Sequence, residues 1–165
     1  MSLTVVDVPP DRPEFLRETI RLLAEKLERD RAHMLDRVSR ASDAELTAGN
    51  DAEWGIGQIA VHLLLVERGV LAIALRLANG RPPGPTGQPR PAAADVSREG
   101  IATLAEKARA SLTRFSEEFP AEPNVAARAR HPFYGELNCF GWLLTAAYHY
   151  EAHLHALDRG RESAL

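Results

Sequence analysis

Two histidines set four residues apart, in the run His149-Tyr-Glu-Ala-His153, are the first place where side-chain type and spacing suggest chemistry. On a helix that spacing puts both imidazoles on one face on successive turns, where two neutral rings can reach one metal ion. The run lacks a glutamate at its second position, so it is not the signature of helical zinc proteases. Glu151 points roughly away from the pair and is a poor general base. A third candidate, His62, sits inside Gln58-Ile-Ala-Val-His-Leu-Leu-Leu-Val-Glu67, at the border of an apolar stripe. Surrounded by Ile59, Val61, Leu63 and Leu64, it is expected to be partly desolvated. Three inward histidines on two helices would supply the three-ligand set of a catalytic zinc site. The alternative is a buried histidine satisfied by a backbone carbonyl.

The other candidates carry less. His131 precedes Pro132 in an irregular segment and is placed to approach a cleft mouth, as a possible catalytic group. His33 and His155 read as surface residues, Cys139 as a small core residue. Trp54, Trp142 and Tyr148 read as packing residues, with Trp142 on the histidine face. Glu67 follows His62 by five and cannot point the same way, which suggests a surface or supporting role. There is no glycine-rich phosphate loop and no nucleophile elbow.

The elements that must position these residues are helices. Leu16, Ile20, Leu23, Leu27, Met34, Leu35 and Val38 recur at steps of three and four, predicting a helix over 12–40 with Asp11 as cap and Pro13 in its first turn. Ser42, Asp43, Gly49, Asn50 and Asp51 mark a loop. Ile59, Leu63, Val66, Val70, Ile73 and Leu77 predict a second helix over 56–78, ended by Asn79-Gly80. The proline- and glycine-rich residues 81–91 cannot sustain helix or sheet. So long a connection is expected to cross the end of the bundle or to form a flap over a cleft that gates substrate entry. A third helix is expected over 97–119, an irregular stretch over 121–135, and a last helix over 136–158 with Gly160 beyond it. Nothing reads as a sheet. The expected class is all-α, a four-helix bundle with long irregular connections.

On the last helix Phe140, Leu144 and Ala147 share a side with Glu151 and Asp158, opposite the histidines. That side is expected to face outward, and its apolar patch to form a helix-to-helix homodimer contact.

Composition sets the outer limits. With 165 residues, 45% hydrophobic and 26% charged, the chain fits one globular domain, residues 1–165, with residues 1–10 as an N-terminal arm. No stretch is read as reaching the roughly 20 apolar residues that span a bilayer, and the N-terminus lacks a secretory pattern. The single Cys139 excludes an internal disulfide framework and agrees with a reducing cytoplasm. The net charge of −3, with arginines dispersed beside carboxylates, argues against nucleic acid as a partner.

Trp54-Gly-Ile-Gly-Gln-Ile-Ala-Val-His62 resembles the second-helix signature of the DinB/YfiT-like superfamily. His131-Pro-Phe-Tyr-Gly, Trp142 and His149-x-x-x-His153 resemble the motif that opens and fills its last helix. The resemblance implies a four-helix bundle, often dimeric, with a metal held by His62, His149 and His153. Many members carry glutamine three residues after the final histidine, where this chain has Ala156. The ion implied is divalent, Zn or Ni first, with Fe, Mn or Cu also suited to imidazole. Two chemistries are implied: a thiol S-transferase using a low-molecular-weight thiol and a small electrophile, or a metal-dependent hydrolase. A stress-related binding protein without turnover is the alternative of a different class.

Overall fold

The computed structural model describes residues 13–159, so the expected Asp11 cap, the N-terminal arm and Gly160 lie outside the described residues. Four long helices carry the fold: α1 (Pro13–Arg40), α3 (Ile56–Ala78), α4 (Arg98–Glu118) and α5 (Cys139–Asp158). A single turn, α2 (Asp43–Leu46), follows α1, and a hairpin of β1 (Ala129–His131) and β2 (Gly135–Leu137) precedes α5. The stripe predicted for the first helix packs inward, with Leu16, Ile20, Leu27, Met34 and Val38 buried. The molecule is a four-helix bundle, as the periodicity predicts.

Three local features depart from the sequence expectation. The loop after α1 holds a helical turn because Ser42 and Glu45 cap one another reciprocally, side chain to backbone. The stretch expected to be irregular pairs Ala129 with Leu137 and His131 with Gly135 in an antiparallel ladder. Consequently the last helix starts at Cys139, where Asn138 accepts the Gly141 N–H at 3.0 Å.

The long connection neither crosses the end of the bundle nor hangs free. Arg76 Nε donates to the Pro82 carbonyl, His62 meets the Pro89 carbonyl, and Gln58 Nε2 donates to the Pro91 carbonyl. The chain therefore runs back along the outside of α3. Seven residues of strap match fourteen of helix, about 21 Å at 1.5 Å per helical residue, which requires about 3 Å per strap residue. That is a nearly extended chain, in keeping with its prolines, with Gly84 departing from it at a φ of +81°. Because the strap returns the chain to the start of α3, α4 runs parallel to α3. Arg98 fastens the start of α4 to the end of α1 through the carbonyls of Val38 and Ala41.

α3 packs against α1, α4 and α5 and is buried nearly all round. The expectation that no stretch could span a bilayer fails here on length and composition: α3 has 23 residues and a mean hydropathy of 1.7 over its best window. Within the bundle 72% of that window is buried, so its apolar surface serves the core.

That core contains a buried ion pair. Arg31 of α1 pairs with Glu67 of α3, whose side chain is fully buried, and Tyr150 of α5 donates its hydroxyl to Glu67 at 2.7 Å. Of the two roles that its spacing from His62 left open, surface or supporting, the surface one is thus excluded. Burial raises the Glu67 carboxyl above the ordinary carboxylate range, opposed by the Arg31 charge and the Tyr150 hydrogen bond. The same burial, with Glu67 beside it, lifts the Tyr150 phenol well above its usual value.

The outward side of α5 is narrower than its periodicity suggests. Leu144 is exposed, but Phe140 is half-buried against Phe119 and Ala147 is buried. Tyr148, read as a packing residue, is exposed instead.

Replacing Glu67 by alanine strands the Arg31 guanidinium and the Tyr150 hydroxyl away from water. Urea unfolding of Glu67→Ala should show a loss of about 3–5 kcal/mol, with a smaller loss for Glu67→Gln. A loss under about 1 kcal/mol would mean that the pair behaves as a surface salt bridge.

Candidate metal centre

His62 is placed by the tight start of α3. A Cβ on Gly57 would lie 2.1 Å from the Leu46 carbonyl oxygen and 2.4 Å from a Val96 methyl carbon, so only glycine lets the chain before α3 and the end of the strap approach this turn. Gln58, fully buried, locks the same turn. Its Oε1 accepts the Gly55 N–H at 3.2 Å, while its Nε2 donates to the carbonyls of Pro91 at 3.0 Å and Asn50 at 3.4 Å. One turn further on, His62 projects between Trp54 and α5. The Trp54 and His62 rings meet edge to face, centroids 4.8 Å apart, and Arg90 of the strap covers Trp54 at 5.4 Å. The spacing in the Trp-Gly-Ile-Gly-Gln run is therefore a packing requirement that ends in the placement of one imidazole.

α5 is set against α3 by its own beginning. Trp142 is buried and donates its indole N–H to the Ala129 carbonyl at 3.2 Å, tying the helix to the hairpin. Two and three turns later His149 and His153 face α3. Ring nitrogens of His62, His149 and His153 all lie within 4.8 Å of one another. The ring centroids are 4.9 Å apart for His62 and His149, 5.4 Å for His62 and His153, and 4.8 Å for His149 and His153. His62 and His153 are buried and His149 half-buried, so His149 is the ring nearest solvent.

The two sequence readings of His62 are both visible. Its Nδ1 lies 2.7 Å from the Pro89 carbonyl, so Nδ1–H donates there and the Nε2 lone pair faces inward. That Nε2 is 2.7 Å from Nε2 of His149. A carbonyl that satisfies one nitrogen fixes the tautomer and turns the other toward the cluster, the arrangement that supports a ligating imidazole. Burial drives the His62 pKa down to about 4, partly offset by the Pro89 carbonyl and reinforced by His153 and Arg90. His149 falls to about 3, through burial first and then His153, His62 and His131. Both rings are neutral at neutral pH, the protonation state in which an imidazole can donate a lone pair to a cation. Three convergent imidazole nitrogens fit a divalent ion of borderline softness.

Sequence reasoning placed the remaining residues unevenly. His131 is buried at the edge of the cluster, its ring stacked on Tyr134 at 4.7 Å and tilted against Trp142 at 4.8 Å. Its Nδ1 accepts the Phe133 N–H at 3.2 Å, and burial lowers its pKa. His33 and His155 are exposed, and Cys139 is buried with its thiol pushed up to about 11, an unreactive core group. Glu151 is exposed and lies 3.3 Å from Lys26 Nζ. One support of the site went unseen in the sequence, and another was left open between a surface and a supporting role. The Pro89 carbonyl carries no side-chain signal at all. Arg31 and Glu67 did carry one, since each sits in register with the apolar stripe of its own helix, where a charged residue is out of place.

A family model described as the DinB superfamily matches residues 26–157, a span that contains all three histidines. The solved structure of TT2238, described as a four-helix bundle protein, is 29% identical, with a TM-score of 0.65; the match covers 85% of this chain and 98% of that one. No curated protein matches the chain.

Depressed histidine pKa values tie stability to pH. From an ordinary value of 6.5, His62 falls to about 4 and His149 to about 3 on folding. Below about pH 6.5 the unfolded chain binds protons that the folded chain refuses. This stability is therefore whole above that pH and lost as pH falls toward the folded values. The Tm of the metal-free protein should drop between pH 6.5 and 4, more steeply than in His149→Phe. Parallel Tm profiles would show that the two rings are not shielded as described.

Proposed function

The chain belongs to the DinB superfamily, and we propose from that premise that His62, His149 and His153 hold one divalent metal ion at a site that joins a small thiol to a small electrophile. The observation that carries the reading is the convergence of three ring nitrogens within 4.8 Å. Zn and Ni are the first candidates for three imidazoles, with Fe, Mn and Cu sharing the ligand preference. When bound, such an ion supplies the Lewis acidity that brings the pKa of a thiol toward neutrality.

The chain's own residues supply orientation and dryness. Pro89 fixes the His62 ring, and the Trp54 ring beside it keeps water from that side. His149, the half-buried ring, marks the side of entry, where Tyr148 and Tyr134 are exposed. To His131, packed between Tyr134 and Trp142 and buried beneath that mouth, this reading gives the orienting of the substrate.

Thiol transfer is favoured over hydrolysis by the carboxylates. Activation of water usually wants a general base, and the nearby acids are engaged elsewhere: Glu67 with Arg31 and Tyr150, Glu151 with Lys26. A thiol already ionised near neutral pH needs no such base. In the reaction proposed, the thiol loses its proton to solvent and its sulfur forms a bond to the electrophilic carbon. The bond from that carbon to its leaving atom breaks with the electron pair on that atom: a halide departs, and the oxygen of an opened epoxide stays on the product and takes a proton from solvent. A reduced thiol co-substrate fits a cytoplasmic location, which forms part of the same proposal.

Protein reconstituted with Zn or Ni should be incubated with a panel of low-molecular-weight thiols and an epoxide or aryl halide. Thiol loss, followed with a thiol-reactive dye, should exceed the uncatalysed rate only for loaded protein. It should fall by more than about 100-fold in His149→Ala, beyond what loss of an outer hydrogen bond does. Ester or amide cleavage without thiol would replace the transferase with a hydrolase. Ligand retention with neither activity would leave a binding protein.

A further inference from the structure

We propose that the groove between α3 and the second half of α4 is a separate anion site that takes a small organic phosphate. Arg68 and Arg76 of α3, Arg81 just beyond it and Arg114 of α4 line a groove of about 290 Å³. The one carboxylate in its lining is Glu118. Four guanidiniums against one carboxylate run counter to a chain whose net charge is −3.

The partners of these arginines show where the charge remains open. Arg114 uses Nε to reach Glu118 at 2.8 Å, and Arg76 uses Nε for the Pro82 carbonyl. The terminal nitrogens of both bond to no described residue. Arg68 and Arg81 form no ion pair with a described residue, and Arg68 Nε is shielded from water without a hydrogen-bond partner. Arg37 Nε, outside this groove, shares that condition, so the case rests on the guanidiniums themselves: four line the groove, and among the described residues they meet one carboxylate.

The plain alternative is that these arginines answer the negative end of the α3 dipole. That effect falls off within the last turn. It accounts for Arg76 and Arg81, but Arg68 lies ten residues before the end of α3 at Ala78, and Arg114 belongs to another helix.

Size and floor select the ligand. The volume sits at the small end of ligand pockets, which run from about 300 Å³ upward, too small for a protein segment or a duplex. Leu71 and Phe115 are buried beneath the groove and Leu75 is half-buried, an apolar floor for a ring or short chain. Guanidinium forks match phosphate oxygens in pairs. The groove shares no residue with the histidine cluster, so it stands or falls apart from the metal reading.

The test is calorimetric titration of phenyl phosphate and inorganic phosphate into the full-length protein and into His149→Ala. Phenyl phosphate should bind once per chain, more tightly than inorganic phosphate, and equally in both proteins. Arg68→Gln and Arg81→Gln should each weaken it about 10–100-fold, as loss of a charged hydrogen bond does. Arg40→Gln, a change at an exposed arginine outside the groove, should leave it unchanged. Arg81 lies outside the helices, so its variant tests the site even where Arg68→Gln does not fold. No binding at millimolar ligand, an equal loss in Arg40→Gln, or tighter binding of an acidic peptide than of phenyl phosphate overturns the proposal.

Discussion

The hydrogen bond between His62 and the Pro89 carbonyl is the constraint on which the rest of the site depends. It joins the strap to the core helix, and it decides which nitrogen of His62 faces α5. The strap can deliver that carbonyl because a nearly extended chain covers, in the residues available, the part of α3 between Arg76 and His62. Gln58 and Arg76 secure its two ends. The same strap sets the topology, since it returns the chain to the start of α3 and so makes α3 and α4 parallel. One proline-rich segment thereby determines both the architecture of the bundle and the orientation of its most buried imidazole.

A second constraint lies deeper. Arg31, Glu67 and Tyr150 join α1, α3 and α5 across the core, and they are among the few polar side chains buried there. A buried ion pair is seldom a net source of stability, but it penalises every register that separates its members. α3 and α5 are also the helices that carry the histidines. A shift of either along the other would part Tyr150 from Glu67 and His149 from His62 together.

Much of this was legible in the sequence because helical periodicity is a strong signal over twenty residues. The stripes of Leu16 to Val38 and Ile59 to Leu77 located two long helices, and three histidines on inward faces converge in the structure as their spacing suggested. The hairpin was not legible: strands of three residues are too short for an alternating pattern to emerge. Glu67 was left between a surface and a supporting role because its position was judged by spacing from His62, when its place in the apolar stripe and a matching Arg31 were the informative facts. The face of α5 was read too broadly because packing against Phe119, a tertiary contact, decides the burial of Phe140. The Pro89 carbonyl lay beyond reach in principle, since backbone groups have no residue type.

The central claim, a metal held by three imidazoles on two helices, is tested most directly by elemental analysis of the purified protein beside His62→Ala and His149→Ala/His153→Ala. The account predicts about one equivalent of divalent metal per chain in the wild type, lost in both variants while helical circular dichroism is retained. Wild-type protein that takes up no metal on reconstitution, or variants that keep it, would contradict the account.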